Sequence, residues 1–194
     1  LTSITIGDSV TTIGDYAFES CYSLTSITIP DSVTSIGDYA FYNCSSLTSI
    51  EIPDSVTSIG NGAFRSCTNL TSVTMGNGIT GIGESAFSYC NSLTSIEIPD
   101  GVTDIRNFSF QNCESLKSIV IPDGVTSIGN SAFDSCISIE TVYYTGAEEE
   151  WNAIVIGNGN HGLQNATIHY NYVPEGDDNV AVLDEATLDH VVLA

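Results

Sequence analysis

The chain has 194 residues, 24 of them acidic and only three basic (Arg65, Arg106 and Lys117), for a formal charge of −21. A surface of that sign repels phosphate backbones and anionic headgroups, so neither nucleic acid nor a membrane surface is an expected partner. No apolar run is long enough to span a bilayer, so no membrane insertion is expected in this segment. No signal peptide is recognisable. The chain opens on Leu1 without an initiator Met and reads as a piece of a longer protein.

The sequence repeats every 23 residues. Cysteines recur at Cys21, Cys44, Cys67, Cys90, Cys113 and Cys136; leucines keep the same step at Leu1, Leu24, Leu47, Leu70, Leu93 and Leu116. A fixed period of this size predicts a solenoid of stacked coils.

In the copy from Leu24 to Ser46, Leu24, Ile27 and Ile29 alternate with Thr and Ser, the pattern of a strand with one buried face. Ile29-Pro30-Asp31-Ser32 predicts a type I turn with Pro in second place. Val33 and Ile36 form a second short apolar stretch, which Gly37 ends. Asp38 then predicts the N-cap of a short helical turn that carries Ala40, Phe41 and Cys44 inward. The cap position holds Asp15, Asp38, Asn61, Glu84, Asn107 and Asn130 across the copies. Stacked coils place equivalent side chains about 4.8 Å apart and parallel. A disulfide needs Cβ atoms that face each other. The cysteines therefore read as a buried column of free thiols, with disulfides and zinc the weaker alternatives.

The pattern formed by Leu24, Ile27, Ile29, Pro30, Val33, Ile36, Gly37, Ala40, Phe41 and Cys44 resembles the BspA-like leucine-rich repeat family of bacterial surface and secreted proteins. The resemblance covers six copies, from Leu1 to about Ser138. It implies an α/β leucine-rich-repeat solenoid, β-dominated, with a parallel strand ribbon and short helical turns. It also implies an extracellular or cell-surface setting and a role in adhesion or protein binding, with no catalytic residues. Arg106 departs from the pattern by replacing its Gly, which argues against a required positive φ there. Gly7 and Gly76 replace Pro.

Residues 139–172 read as a seventh repeat and a C-terminal capping coil. Ile139, Val142 and Tyr144 hold the strand phase. AEEEWNAIVI after Gly146 predicts a short helix with acidic residues in its first turn. Trp151, Ile154 and Val155 are expected to cover the open end of the core. Gly157–Gly162 reads as a loop, after which Leu163, Ala166 and Ile168 regain the strand phase. Residues 173–194 read as a linker and a tail of unknown structure. No cap precedes Leu1, so the first coil is expected to be a sticky edge.

The strand's outward positions are the first candidate site. In a leucine-rich-repeat geometry they line the concave face. The partner-binding candidates are Thr5, Thr28, Glu51, Thr74, Glu97, Val120 and Tyr143, flanked by a serine row from Ser3 to Ser118. Such a hydroxyl-rich strip can hydrogen-bond a glycan or a polar protein segment. The bland alternative is that Thr and Ser simply suit exposed strands. The column Asp8, Asp31, Asp54, Asn77, Asp100 and Asp123 reads as turn residues bonding their own backbone, with calcium the weaker alternative. Tyr16, Tyr39 and Tyr42, with Tyr22 and Tyr89 nearby, read equally as binding aromatics or as packing between turns.

No enzyme is expected. His161, His169 and His190 fall outside the six regular copies, and no phosphate loop or Walker lysine is present. Glu51 and Glu97 lie two coils apart, roughly 10 Å by strand spacing, slightly beyond the inverting-glycosidase range. No cofactor or metal is expected. The leading reading is a secreted or cell-surface adhesion solenoid that recognises a host protein or glycan. The alternative is a structural spacer that presents other modules.

Overall fold

The computed structural model describes residues 2–174. Leu1, His190 and the tail from 175 onward lie outside the described residues.

The chain winds as a β-solenoid with two strand faces and one turn face per coil. The odd-numbered strands form the first face: β1 (Ser3–Thr5), β3 (Ser26–Thr28), β5 (Ser49–Ile52), β7 (Ser72–Met75), β9 (Ser95–Glu97), β11 (Ser118–Ile121), β13 (Thr141–Tyr144) and β15 (Thr167–His169). The even-numbered strands form the second: β2 (Thr12–Ile13), β4 (Ser35–Ile36), β6 (Ser58–Ile59), β8 (Gly81–Ile82), β10 (Asp104–Ile105), β12 (Ser127–Ile128) and β14 (Val155–Ile156). Each pairs in parallel with its equivalent one coil away, as Ser3 does with Ser26 and Ile36 with Ile59. The period-2 pattern works as expected: in β5, Ile50 and Ile52 are buried while Ser49 and Glu51 are exposed.

The turn after the first strand lies one residue later than predicted. Its bond runs from the Val33 N–H to the Pro30 carbonyl (3.0 Å), so Pro30 opens the turn. Val56, Val102 and Val125 repeat this bond with Pro53, Pro99 and Pro122.

The third face corrects the predicted helical turn. No helix forms there; two tight turns follow one another, with Tyr42 N–H bonded to the Tyr39 carbonyl and Cys44 N–H to Phe41. Tyr39 (φ 53°) and Asn43 (φ 61°) are left-handed, which breaks any helix. That reversal aims alternate N–H groups at the next coil. Tyr39, Phe41 and Asn43 donate to the carbonyls of Asn61, Ala63 and Arg65 at 2.7–2.8 Å. The helix loses because its bonds close within one coil, whereas these stitch coil to coil.

The cap position likewise bridges coils. Asp15 Oδ1 accepts the Asp38 N–H (2.8 Å), Asp38 Oδ1 the Asn61 N–H (2.7 Å), and Asn61 Oδ1 the Glu84 N–H (2.9 Å). Asn107 and Asn130 continue the pattern upward. Short Asx side chains suit this reach.

The core is a set of axial columns. Phe18, Phe41, Phe64, Phe87, Phe110 and Phe133 stack with centroids 5.1–5.5 Å apart. Beside them the six thiols are free. Each from Cys44 to Cys136 donates from Sγ to a phenylalanine carbonyl of the previous coil at 3.0–3.3 Å.

The patterned glycine is required by close approach, with no positive φ at that position. A Cβ on Gly60 would overlap the backbone of Gly37. Arg106 stands at the same position, and there the second face divides: β2-β4-β6-β8 form one sheet and β10-β12-β14 another. Coil five also carries Ser109 in place of Ala, its buried Oγ donating to the Arg106 carbonyl at 2.7 Å. Arg106→Gly is expected to let β8 and β10 join. Amide exchange across 104–107 should slow, and stability should rise by about 1 kcal/mol, the net worth of one hydrogen bond. Unchanged exchange rates at those amides would rule this out.

Candidate functional site

The candidate residues align in three separate ladders, because the first face divides between β3 and β5 and again between β7 and β9. Thr5 aligns with Thr28, Glu51 with Thr74, Glu97 with Val120, and Val120 with Tyr143. Thr5, Thr28, Glu51, Thr74 and Glu97 are exposed, while Val120 and Tyr143 are half-buried. The row is broken into two shallow depressions. One, of about 550 Å³, is lined by Thr28, Pro30, Asp31 and Glu51. The other, of about 760 Å³, is lined by Thr74, Glu97, Asp100, Asp123, Thr145 and Tyr172.

Tyr143 is half-buried because rings from the last coil cover it. His169, its neighbour in register, stacks at 5.5 Å, and the Tyr172 ring lies 4.5 Å away. His169 is exposed on β15, and its stacking on Tyr143 follows from the parallel pairing of β13 and β15.

Within the aspartate column, the Asp54 carboxylate reaches beyond its own turn. Asp54 Oδ1 accepts the N–H of Asn77, one coil on, at 2.8 Å, and the Asp123 N–H donates to Thr145 Oγ1 at 2.8 Å. Among the described residues, no group of three His, Cys, Asp or Glu side chains is arranged to hold a metal ion.

The tyrosines of the turn face pack between turns, as one of the two readings of them expects. Tyr16 and Tyr39 stack at 5.3 Å, and Tyr39 meets Tyr42 edge-on. Tyr16 and Tyr22 nevertheless remain more than half exposed. Arg65 lies over the Tyr89 ring, 5.6 Å from its centroid.

The far end is closed by α1 (Glu148–Ala153) and α2 (His161–Gln164). Glu150 reaches back to the Ala147 N–H at 2.8 Å, half of a capping box. Trp151 is buried and meets Tyr144 edge-on. Val155, expected to cover the core, is 71% exposed because it enters β14 instead. Leu163, expected in a strand, is buried from α2, which begins inside the predicted loop. Burial holds the Tyr144 hydroxyl above its usual pKa, and the carboxylates of Glu150 and Asp123 add to that.

Asn160 was not singled out by the sequence. It is buried, and its Oδ1 accepts the Phe133 N–H at 3.0 Å. Its Nδ2 donates to the carbonyls of Gly129 (2.9 Å) and Gly157 (2.8 Å). In earlier coils the phenylalanine N–H meets a backbone carbonyl of the next coil. Here a side chain takes over that role and ends the ladder. Its surroundings, an Asn between Gly159 and His161, resemble an ordinary loop.

Comparison with known proteins agrees with this architecture. The family model for the BspA type leucine-rich repeat region matches six copies, over residues 1–113 and 80–150. No curated protein matches the sequence. The crystal structure of the T. pallidum leucine-rich repeat protein is similar, with a TM-score of 0.69 and 28% identity over 73% of this chain and 72% of that one. A leucine-rich repeat protein from Eubacterium ventriosum has a TM-score of 0.62 and 29% identity over 76% of this chain and 40% of its own. A leucine rich cell surface protein from Faecalibacterium prausnitzii has 30% identity over 80% of this chain and 62% of its own, with a TM-score of 0.40. The chain thus spans less than two thirds of the latter two.

Proposed function

The chain belongs to the BspA-type leucine-rich repeat family, and on that premise we propose that it is a non-catalytic binding module, secreted or held at a bacterial surface. Its partner is a host protein or glycan, bound along the first strand face. The observation that carries this is the row of exposed positions from Thr5 to Glu97, in register within each of three ladders, continued by Val120 and ended by the ring cluster at Tyr143. Hydroxyls and carboxylates presented at each strand step offer a long polar ligand repeated contacts, and the rings offer an anchor of the type that dominates binding energy.

Immobilised matrix proteins, mucin and a glycan panel provide the test. Saturable binding is expected. The combined change Glu51→Lys, Glu97→Lys and Tyr143→Ala should weaken it at least tenfold, as loss of a central anchor does. Undiminished binding would move the interface to another face. Absence of binding to every probe would favour the spacer, which the near-identity of the coils also fits, since a spacer needs no unique patch.

A further inference from the structure

Resting on the strand-face reading, we infer that the depression ending at Tyr172 is a subsite for an uncharged oligosaccharide, and that sialylated and sulfated glycans are excluded from it. Three features lead there. Tyr172 gives the depression an aromatic side, continuous with Tyr143 through a 4.5 Å ring contact. Tyrosine faces stack on the C–H faces of pyranose rings and leave sugar hydroxyls free to bond elsewhere. Glu97, Asp100 and Asp123 supply carboxylate acceptors, and Thr74 and Thr145 supply hydroxyls, around the same space. A carboxylate accepts from two neighbouring sugar hydroxyls at once, and such charge-assisted bonds are the strong ones.

The dimensions fit as well. The volume of about 760 Å³ lies within the range of small-molecule sites. Glu97 and Tyr143 are two strand steps apart through Val120, roughly 10 Å by strand spacing, about the reach of two linked pyranoses. The electrostatics then select among glycans. A site bearing three carboxylates, on a chain of net charge −21 with three basic residues, repels sialic acid, sulfate and uronic acid groups. Such a site offers them no arginine or lysine among its lining residues.

The experiment is titration of the purified chain with neutral oligosaccharides of two to four units, alongside sialylated and sulfated counterparts of matched length. Neutral sugars are expected to bind and the anionic ones not to. Tyr172→Ala should weaken binding at least tenfold and Glu97→Gln several-fold, with the circular dichroism spectrum unchanged. Glu19→Gln, on the turn face, should leave it intact. Preference for anionic glycans, or equal binding by Tyr172→Ala, would overturn the inference. Binding of a protein partner through Glu51 with no neutral sugar bound would overturn it while sustaining the strand-face reading. Binding of nothing at all would overturn both.

Discussion

The domain is expected to unfold steeply between about pH 10 and 12. The cause is the thiol column. Burial pushes the Cys44 thiol up to about 11 and that of Cys90 to about 12, from an ordinary value of 9.0. Cys67 and Cys113 are raised well above that value, again by burial first, with neighbouring thiols adding to the effect. In the unfolded chain these thiols ionise from about pH 9. Between that point and the folded values, the native state holds more protons, so its stability falls as pH rises. Each thiol contributes about 1.4 kcal/mol per pH unit in that window, and the four together about 5 kcal/mol per unit. The buried Tyr144 hydroxyl, raised in the same direction, steepens the decline. A typical domain holds about 5–15 kcal/mol, which such a slope removes within a few units. Denaturant melts in the presence of a reductant, taken from pH 8 to 11, check the slope. Cys67→Ser with Cys90→Ser keeps a donor for the Phe41 and Phe64 carbonyls and should roughly halve it. A stability profile that stays level up to pH 11 would sink the argument. Below pH 9 the same burial predicts thiol labelling of the half-exposed Cys21 alone in the native protein.

Replacing Asn160 should cost about 2–6 kcal/mol, since each of two buried polar groups left without a partner costs about 1–3. Asn160→Leu has nearly the same shape but would strand the Phe133 N–H and the Gly157 carbonyl, while the Gly129 carbonyl keeps the Ala132 N–H at 3.4 Å. Asn160→Asp keeps the acceptor for Phe133 and loses both donors, turning a carboxylate toward two carbonyls. It should therefore be at least as harmful at neutral pH and partly recover on acidification, when the carboxyl regains a proton to donate. Urea melts give the total effect. Hydrogen exchange should place the earliest opening in α1, β14 and α2, because coil-to-coil arrays open from their ends. A loss below about 1 kcal/mol would mean that water replaces the side chain at this end of the array.

Some of this behaviour was readable in the sequence. The cysteine step led to the free thiol column, since parallel coils aim equivalent side chains the same way. The strand face was equally legible because side chains alternate with period two and the register is fixed by the repeat. The turn face was misread. Asp38 before Ala40 and Phe41 has the composition of a capped helical turn, and only the left-handed backbone at Tyr39 and Asn43 redirects the N–H groups to the next coil. Arg106 stood out as a break in the pattern, yet its effect on the second face depends on how closely Gly37 and Gly60 approach.

The sequence by itself determined that the chain coils every 23 residues, which residues face the core, and which face the strand-side solvent. Those properties are local and repeated, and the internal copies agree about them. The tertiary structure decided what the copies could not report: where the ladder ends, through Asn160, and where the ring of Tyr172 meets Tyr143. Both arise where one coil meets an unlike neighbour. A contact between non-equivalent residues leaves no period in the sequence, so only the folded geometry brings it to light.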